Sequence, residues 1–167
     1  MRLFFILSFG LILMGCGLMD QFREPARYSE LRKGNKDPLH VFSCGPEALE
    51  KAFGELNIHI SKEDISYAIQ KNHKFNTFVR DVTAIFHNDA RRITFPEEMI
   101  NILKDKGYSI SKGKKYSDLN EAVDIAIILI KKKNTLEYHW MCFPVDKNIL
   151  TFFGNDTVVK EIYLIIK

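Results

Sequence analysis

Val41-Phe42-Ser43-Cys44-Gly45-Pro46-Glu47-Ala48-Leu49-Glu50-Lys51-Ala52-Phe53 is the stretch on which the reading of this chain turns. Apolar residues at Ala48, Leu49, Ala52, Phe53 and Leu56 fall on one face of a helix. Pro46 suits the first turn, where a missing N–H has no intrahelical partner to lose. Cys44 therefore stands at or just before a helix N-terminus. There the helix dipole and unpaired backbone N–H groups favour a thiolate, the nucleophilic form of cysteine.

Outward from this helix, the chain reads as helices first and strands later. Ser61 with Asp64 three residues on begins a second helix carrying Ile65, Ala68 and Ile69. Lys71 to Arg92 is polar and reads as irregular, with a helical turn near Asp81–Phe86 placing Val82, Ile85 and Phe86 inward. Thr94 reads as the cap of a further helix through Ile100 and Leu103 that stops at Gly107. Ser117 reads as the cap of a short helix containing Leu119, Ala122 and Val123. Ile125-Ala126-Ile127-Ile128-Leu129-Ile130 is a continuous apolar run too short for a membrane span, which predicts a central buried strand. Tyr108–Ser111, Tyr138–Val145, Asn148–Phe153 and Val158–Ile166 complete the strands, the last three joined as antiparallel hairpins. The expected class is α+β, an N-terminal helical half packed on a C-terminal antiparallel sheet.

The 167 residues suffice for one domain with a real core, and 27% charged residues argue against wholesale disorder. A net charge of +3 with lysines spread along the chain gives no nucleic-acid footprint. Met1-Arg2 followed by the apolar run Leu3–Ile12 has the form of a secretory signal. Leu13-Met14-Gly15-Cys16 resembles a bacterial lipobox, in which the cysteine is lipidated and becomes the first mature residue. A plain signal peptide or uncleaved anchor is the alternative. The division expected is a lipoprotein signal peptide over 1–15, a lipidated N-terminus and tether over 16–39, and a domain over 40–167. Leu18, rather than Asp, near the mature start favours the outer membrane by resemblance to enterobacterial sorting. The expected site is the periplasmic face of that membrane.

Beyond Cys16 only Cys44 and Cys142 remain, and an exported protein offers them one disulfide. Strand alternation puts His139 and Met141 on one face and Trp140 and Cys142 on the other. If His139 faces Cys44, Cys142 faces away as a small buried hydrophobe. His139 on its own reads as a core histidine, and His59, His73 and His87 as loop or helix-entrance residues. A zinc site from Cys44, His139 and His40 lacks a close-spaced ligand pair; no cofactor or metal is expected.

Taken together, Cys44-Gly45-Pro46 opening a helix, Thr94-Phe95-Pro96-Glu97, the strand Ile125–Ile130, His139-Trp140 and Phe153-Gly154-Asn155-Asp156 resemble the papain-like cysteine peptidases. Within them the likeness is to the bacteriocin-processing (double-glycine) peptidase-like group, over about residue 40 to the C-terminus. The resemblance implies a papain-like fold and a thiol protease acting on a peptide or protein substrate. Cys44 attacks a carbonyl to give a thioester, and His139 holds the thiolate as an ion pair and moves the proton. Asn155, about sixteen residues after the histidine, orients the imidazole, with Asp156 as the alternative. The chain departs from the group where a Gln donor to the oxyanion is usual: Pro38 stands there. The Cys44 backbone N–H, His40 or Asn35 are the substitutes in reach. Loss of one such donor typically costs about 10²–10³ in rate, so a catalytically inactive binding or structural module on the same fold is the competing expectation.

Overall fold

The computed structural model describes residues 38–41, 43–85 and 92–167. In chain order, the helices α1 (Pro38–Val41), α2 (Cys44–Glu55), α3 (Lys62–Asn72), α4 (Lys74–Ala84) and α5 (Pro96–Asp105) come first. The strands β1 (Ser109–Lys112), β2 (Ala126–Lys132), β3 (Tyr138–Phe143) and β4 (Thr157–Ile166) follow, with a short helix α6 (Leu150–Phe153) before β4. The four strands form one sheet in the order β1-β4-β2-β3, with every pairing antiparallel. The chain is thus α+β, with β2 in the interior of the sheet, as its unbroken apolar run predicts, and β3 at an edge.

Helix α2 packs along β3. Its Ala48, Leu49, Ala52 and Phe53 are each at most 1% exposed, on the face that the apolar spacing marks. Burial of a Phe or Leu of this kind stabilises by about 1.5–3 kcal/mol. These residues join Ile65, Ile69, Met99, Ile102 and Leu103 of α3 and α5 and meet Ile127, Trp140, Cys142 and Tyr163 of the sheet in the main core. A second core lies on the sheet's other face, where Ala126, Ile128, Ile130, Met141, Phe143 and Ile162 are covered by Tyr116, Leu119, Ile149 and Phe153. The sheet is therefore covered on both faces, which explains why β2 is apolar at successive rather than alternate positions.

Several local expectations need correction. Residues Lys74–Ala84 are a regular helix, and its apolar Phe75, Phe78, Val82 and Ile85 are turned outward at 76, 63, 40 and 76% exposure. The inward residues are polar: Asn76 and Arg80. Arg80 donates to both Glu98 oxygens at 2.7 and 3.0 Å and to the Ile93 carbonyl at 3.2 Å, and this buried pair ties α4 to the start of α5. Helix α5 is capped one residue later than expected. Phe95 is the N-cap, Pro96 takes the first helical position, and the Glu98 carboxylate returns to accept from the Phe95 N–H at 2.8 Å. The segment read as a strand over Asn148–Phe153 is a turn and helix α6, because its side chains are divided between the second core and His139. Ser117 heads no helix; Tyr116–Asp118 is a single 3₁₀ turn. The Ser61 cap is as expected, accepting from the Asp64 N–H at 3.2 Å.

At one position the packing depends on the absence of a side chain. A Cβ added to Gly45 falls 2.2 Å from Thr94 Oγ1 and 2.4 Å from Thr94 Cβ. Thr94 is buried, and its carbonyl accepts from the Trp140 indole N–H at 2.9 Å. The glycine after the cysteine is thus the contact through which α2 meets the segment entering α5. Gly45→Ala is expected to destabilise by about 3 kcal/mol through overpacking, read as a lowered thermal midpoint. Combination with Thr94→Gly restores most of the loss if the Gly45–Thr94 contact is its cause; independent, additive losses would refute that cause.

Candidate active site

Cys44 is the first residue of α2, a 12-residue helix with Ser43 as N-cap. Ser43 does not cap with its side chain; its hydroxyl donates to the His40 carbonyl at 2.7 Å, binding α1 to the start of α2. The first-turn amides of α2 are left to other partners, and Glu47 places a carboxylate in that turn, where the dipole favours it. Lys51, one turn further along, pairs with Glu47 at 2.9 Å and with Asp146 at 2.9 Å. Burial pulls the Lys51 pKa down, but its hydrogen bonds to Glu47 and Asp146 outweigh this and the net shift is upward. Asp146 also accepts from the Cys142 N–H at 3.0 Å, so one carboxylate closes the outer edge of β3 against α2.

His139 is buried on β3, 7% exposed, and its ring stacks on Phe152 of α6 at 3.6 Å between centroids. Burial lowers its pKa to about 4, against the raising influence of Glu47 and Asp146 and with a further lowering from Lys51. The charges of Glu47 and Lys51, three and seven residues past Cys44 on the same helix face, thus reach the imidazole. Because β3 is the edge strand and α2 runs along it, a side chain from the face opposite the main core comes within range of the helix. Glu47, in the first turn of α2, acts on the His139 imidazole, so the turn that Cys44 opens lies at the His139 end of the α2–β3 contact.

Asn155 and Asp156 lie in the 3₁₀ turn Gly154–Asp156 after α6, and both are solvent-exposed. From this segment it is Phe152 that covers the His139 ring. Glu47, Asp146 and Lys51 are the charges that shift His139, and Asp156 is not among them. Cys16 and Asn35 lie outside the described residues, as does His87. Cys44 and Cys142 form no disulfide. Strand alternation holds, with Cys142 and Trp140 in the main core and Met141 in the second, but Cys142 does not face away from Cys44, which packs against the same main core. Burial, with Asp146 and Glu55 adding to it, pushes the Cys142 thiol up to about 12, so it is inert at neutral pH.

His40 is fully buried, with its Nδ1 2.7 Å from the Ser66 hydroxyl. That hydroxyl also accepts from the Gln70 amide at 3.0 Å. His40 is thereby fastened to α3, inside the helical half. Among the described residues no three of His, Cys, Asp and Glu gather as a metal site.

No family model, curated protein or solved structure matches the chain. What the site can do follows from its residues. Burial favours the neutral imidazole of His139 over the imidazolium. The buried ring also stacks on Phe152. Residues that no motif announced, Glu47, Asp146 and Phe152, set the imidazole's environment.

The two buried histidines make acid stability a measurable property of this fold. Burial, aided by the Arg80 charge, takes the His40 pKa from 6.5 to about 3. His139 falls from 6.5 to about 4. Both are neutral when folded and bind protons more readily when unfolded, so stability is full above about pH 6.5 and declines as pH falls. Each contributes a slope on the order of 1 kcal/mol per pH unit, down to its folded pKa. Urea midpoints between pH 7 and pH 4 should fall steeply, with a shallower slope in His40→Gln. An unchanged slope in that variant would refute the assignment to His40.

Proposed function

We propose that this chain is an envelope-anchored lipoprotein whose domain is a papain-like cysteine peptidase, hydrolysing peptide or related acyl bonds through a thioester on Cys44. The observation that supports this reading is that Cys44 opens the first turn of α2, whose Glu47 acts on the imidazole of the buried edge-strand histidine His139. Cys44 Sγ bonds to the carbonyl carbon as its proton passes to His139. The tetrahedral centre collapses with that proton delivered to the leaving amine, and water activated by the same imidazole releases the acid. Asn155 and Asp156 belong to the turn just after Phe152, and one of them orients the imidazole when substrate is bound. Cys16 carries the lipid, and the membrane partner is reached through that anchor. Among the described residues no helix is long and apolar enough to cross a bilayer.

The test is alkylation by iodoacetamide followed by peptide mass spectrometry. Cys44 should be modified faster than a reference thiol near pH 7 and Cys142 not at all, with the Cys44 rate falling about tenfold or more in His139→Ala. A Cys44 no more reactive than the reference thiol, or indifferent to His139, overturns the reading.

The competing reading, a catalytically silent module, draws on a specific feature. Pro38 supplies no side-chain donor, and His40 Nδ1 is engaged by Ser66, so among the described residues the Cys44 backbone N–H is the donor left from those expected. It requires Cys44→Ala to retain every biological effect of the chain.

A further inference from the structure

Across the sheet from β3, strand β1 ends before β4 does. Its register runs from Ser109 opposite Ile166 to Lys112 opposite Tyr163, so on that side Thr157–Ile162 carry no paired strand. The chain turns at Gly113, φ 100°, and passes back along this uncovered edge through Lys114, Lys115 and Tyr116. The gap between is a cleft of about 440 Å³, lined by Val159 and Ile162, by the lysines Lys112, Lys114, Lys115 and Lys160, and by Glu161. The β2–β4 register shifts between Leu129 and Ile130, from Glu161 to Val159, which leaves Lys160 as the extra residue of a bulge.

Two of the four ammonium groups are answered within the protein. Lys112 pairs with Glu161 at 3.4 Å and Lys114 with Asp124. Lys115 and Lys160 are exposed and have no acidic partner among the described residues. A lysine on an open strand edge commonly guards against edge-to-edge pairing, and this accounts for Lys160. It does not account for three more lysines on the facing wall. Like charges gathered around a concave site create a field that an anion relieves.

We propose that this cleft binds a phosphate group, free or borne on a lipid headgroup. Lysine binds phosphate as a point charge with three donors, suited to an oxyanion of charge near −2 approached from several sides. The site is separate from Cys44 and His139: β2 lies between β4 and β3. It does not depend on the hydrolytic reading.

The experiment is lysine acetylation of the full chain, read by mass spectrometry, with exposed Lys104 as internal reference. Pyrophosphate at about 10 mM, against chloride of equal ionic strength, should slow acetylation of Lys115 and Lys160 about fivefold relative to Lys104, the protection expected for millimolar affinity. In a second arm the chain sits in phosphatidylglycerol or phosphatidylcholine vesicles without added phosphate. Protection in the first arm identifies a free phosphate ligand; protection on phosphatidylglycerol alone identifies the lipid headgroup. Lys160→Gln should abolish the protection of Lys115 in whichever arm shows it. Equal slowing at Lys104, no slowing in either arm, or protection that survives Lys160→Gln overturns the proposal. Cys44→Ala should leave the footprint unchanged, so a failure here is distinct from a failure of the peptidase reading.

Discussion

Cys44→Ala should abolish hydrolysis of peptide substrates by this chain while leaving its thermal midpoint within about 2 °C of the parent. In a library of envelope-derived peptides, the parent protein should generate new N-termini detectable by mass spectrometry and the variant none above background. That corresponds to a loss of about 10⁴-fold or more, the scale on which a covalent nucleophile matters. Cys44 is only half-buried, at the margin of the main core, so replacing its sulfur leaves little cavity. Cys142→Ala provides the contrast: a fully buried thiol whose loss lowers stability and leaves turnover per folded molecule unchanged. New termini generated equally by parent and Cys44→Ala would remove the nucleophile from the mechanism.

Glu98→Ala should be the most destabilising single change in the helical half, by about 3–5 kcal/mol in urea unfolding. Glu98 is 0% and Arg80 3% exposed. The carboxylate accepts from Arg80 and the Phe95 N–H, and the guanidinium donates also to Ile93 and to the Thr77 hydroxyl at 3.1 Å. Removing the acid leaves a buried cation and an uncapped helix start together. Replacing both partners with apolar residues, Arg80→Met with Glu98→Leu, should recover much of the loss. A double variant as unstable as the single one would show that the hydrogen bonds to Phe95 and Ile93 matter more than the uncompensated charge.

The strands were legible because their signals are redundant: β2 as an unbroken apolar run, β3 and β4 bounded by turns. Helix α2 was legible from five apolar positions and a first-turn proline. Helix α4 was not, because its inward face holds Asn76 and Arg80 while Phe75, Phe78 and Ile85 point to solvent, the reverse of the rule by which helices are oriented. The Asn148–Phe153 segment carries strand-forming residues, yet its side chains divide between the second core and the His139 ring, and tertiary packing outweighed local preference. Of the site, Cys44 and His139 could be singled out by position. Glu47, Asp146 and Phe152 could not, since their roles arise from α2 lying along the edge of β3 and leave no spacing to read.

That same edge bears on the life of the chain before it is folded. Cys142 is protected only once β3 is covered by α2 and its backbone N–H is taken by Asp146. On the proposed reading, an unfolded chain in an oxidising envelope presents Cys142 as an ordinary thiol alongside Cys44, and a bond between them would consume the proposed nucleophile. Docking of α2 against β3 therefore competes in time with oxidation. On that reading, the sulfur outside the proposed chemistry is the one whose rate of concealment sets how many molecules arrive able to perform it.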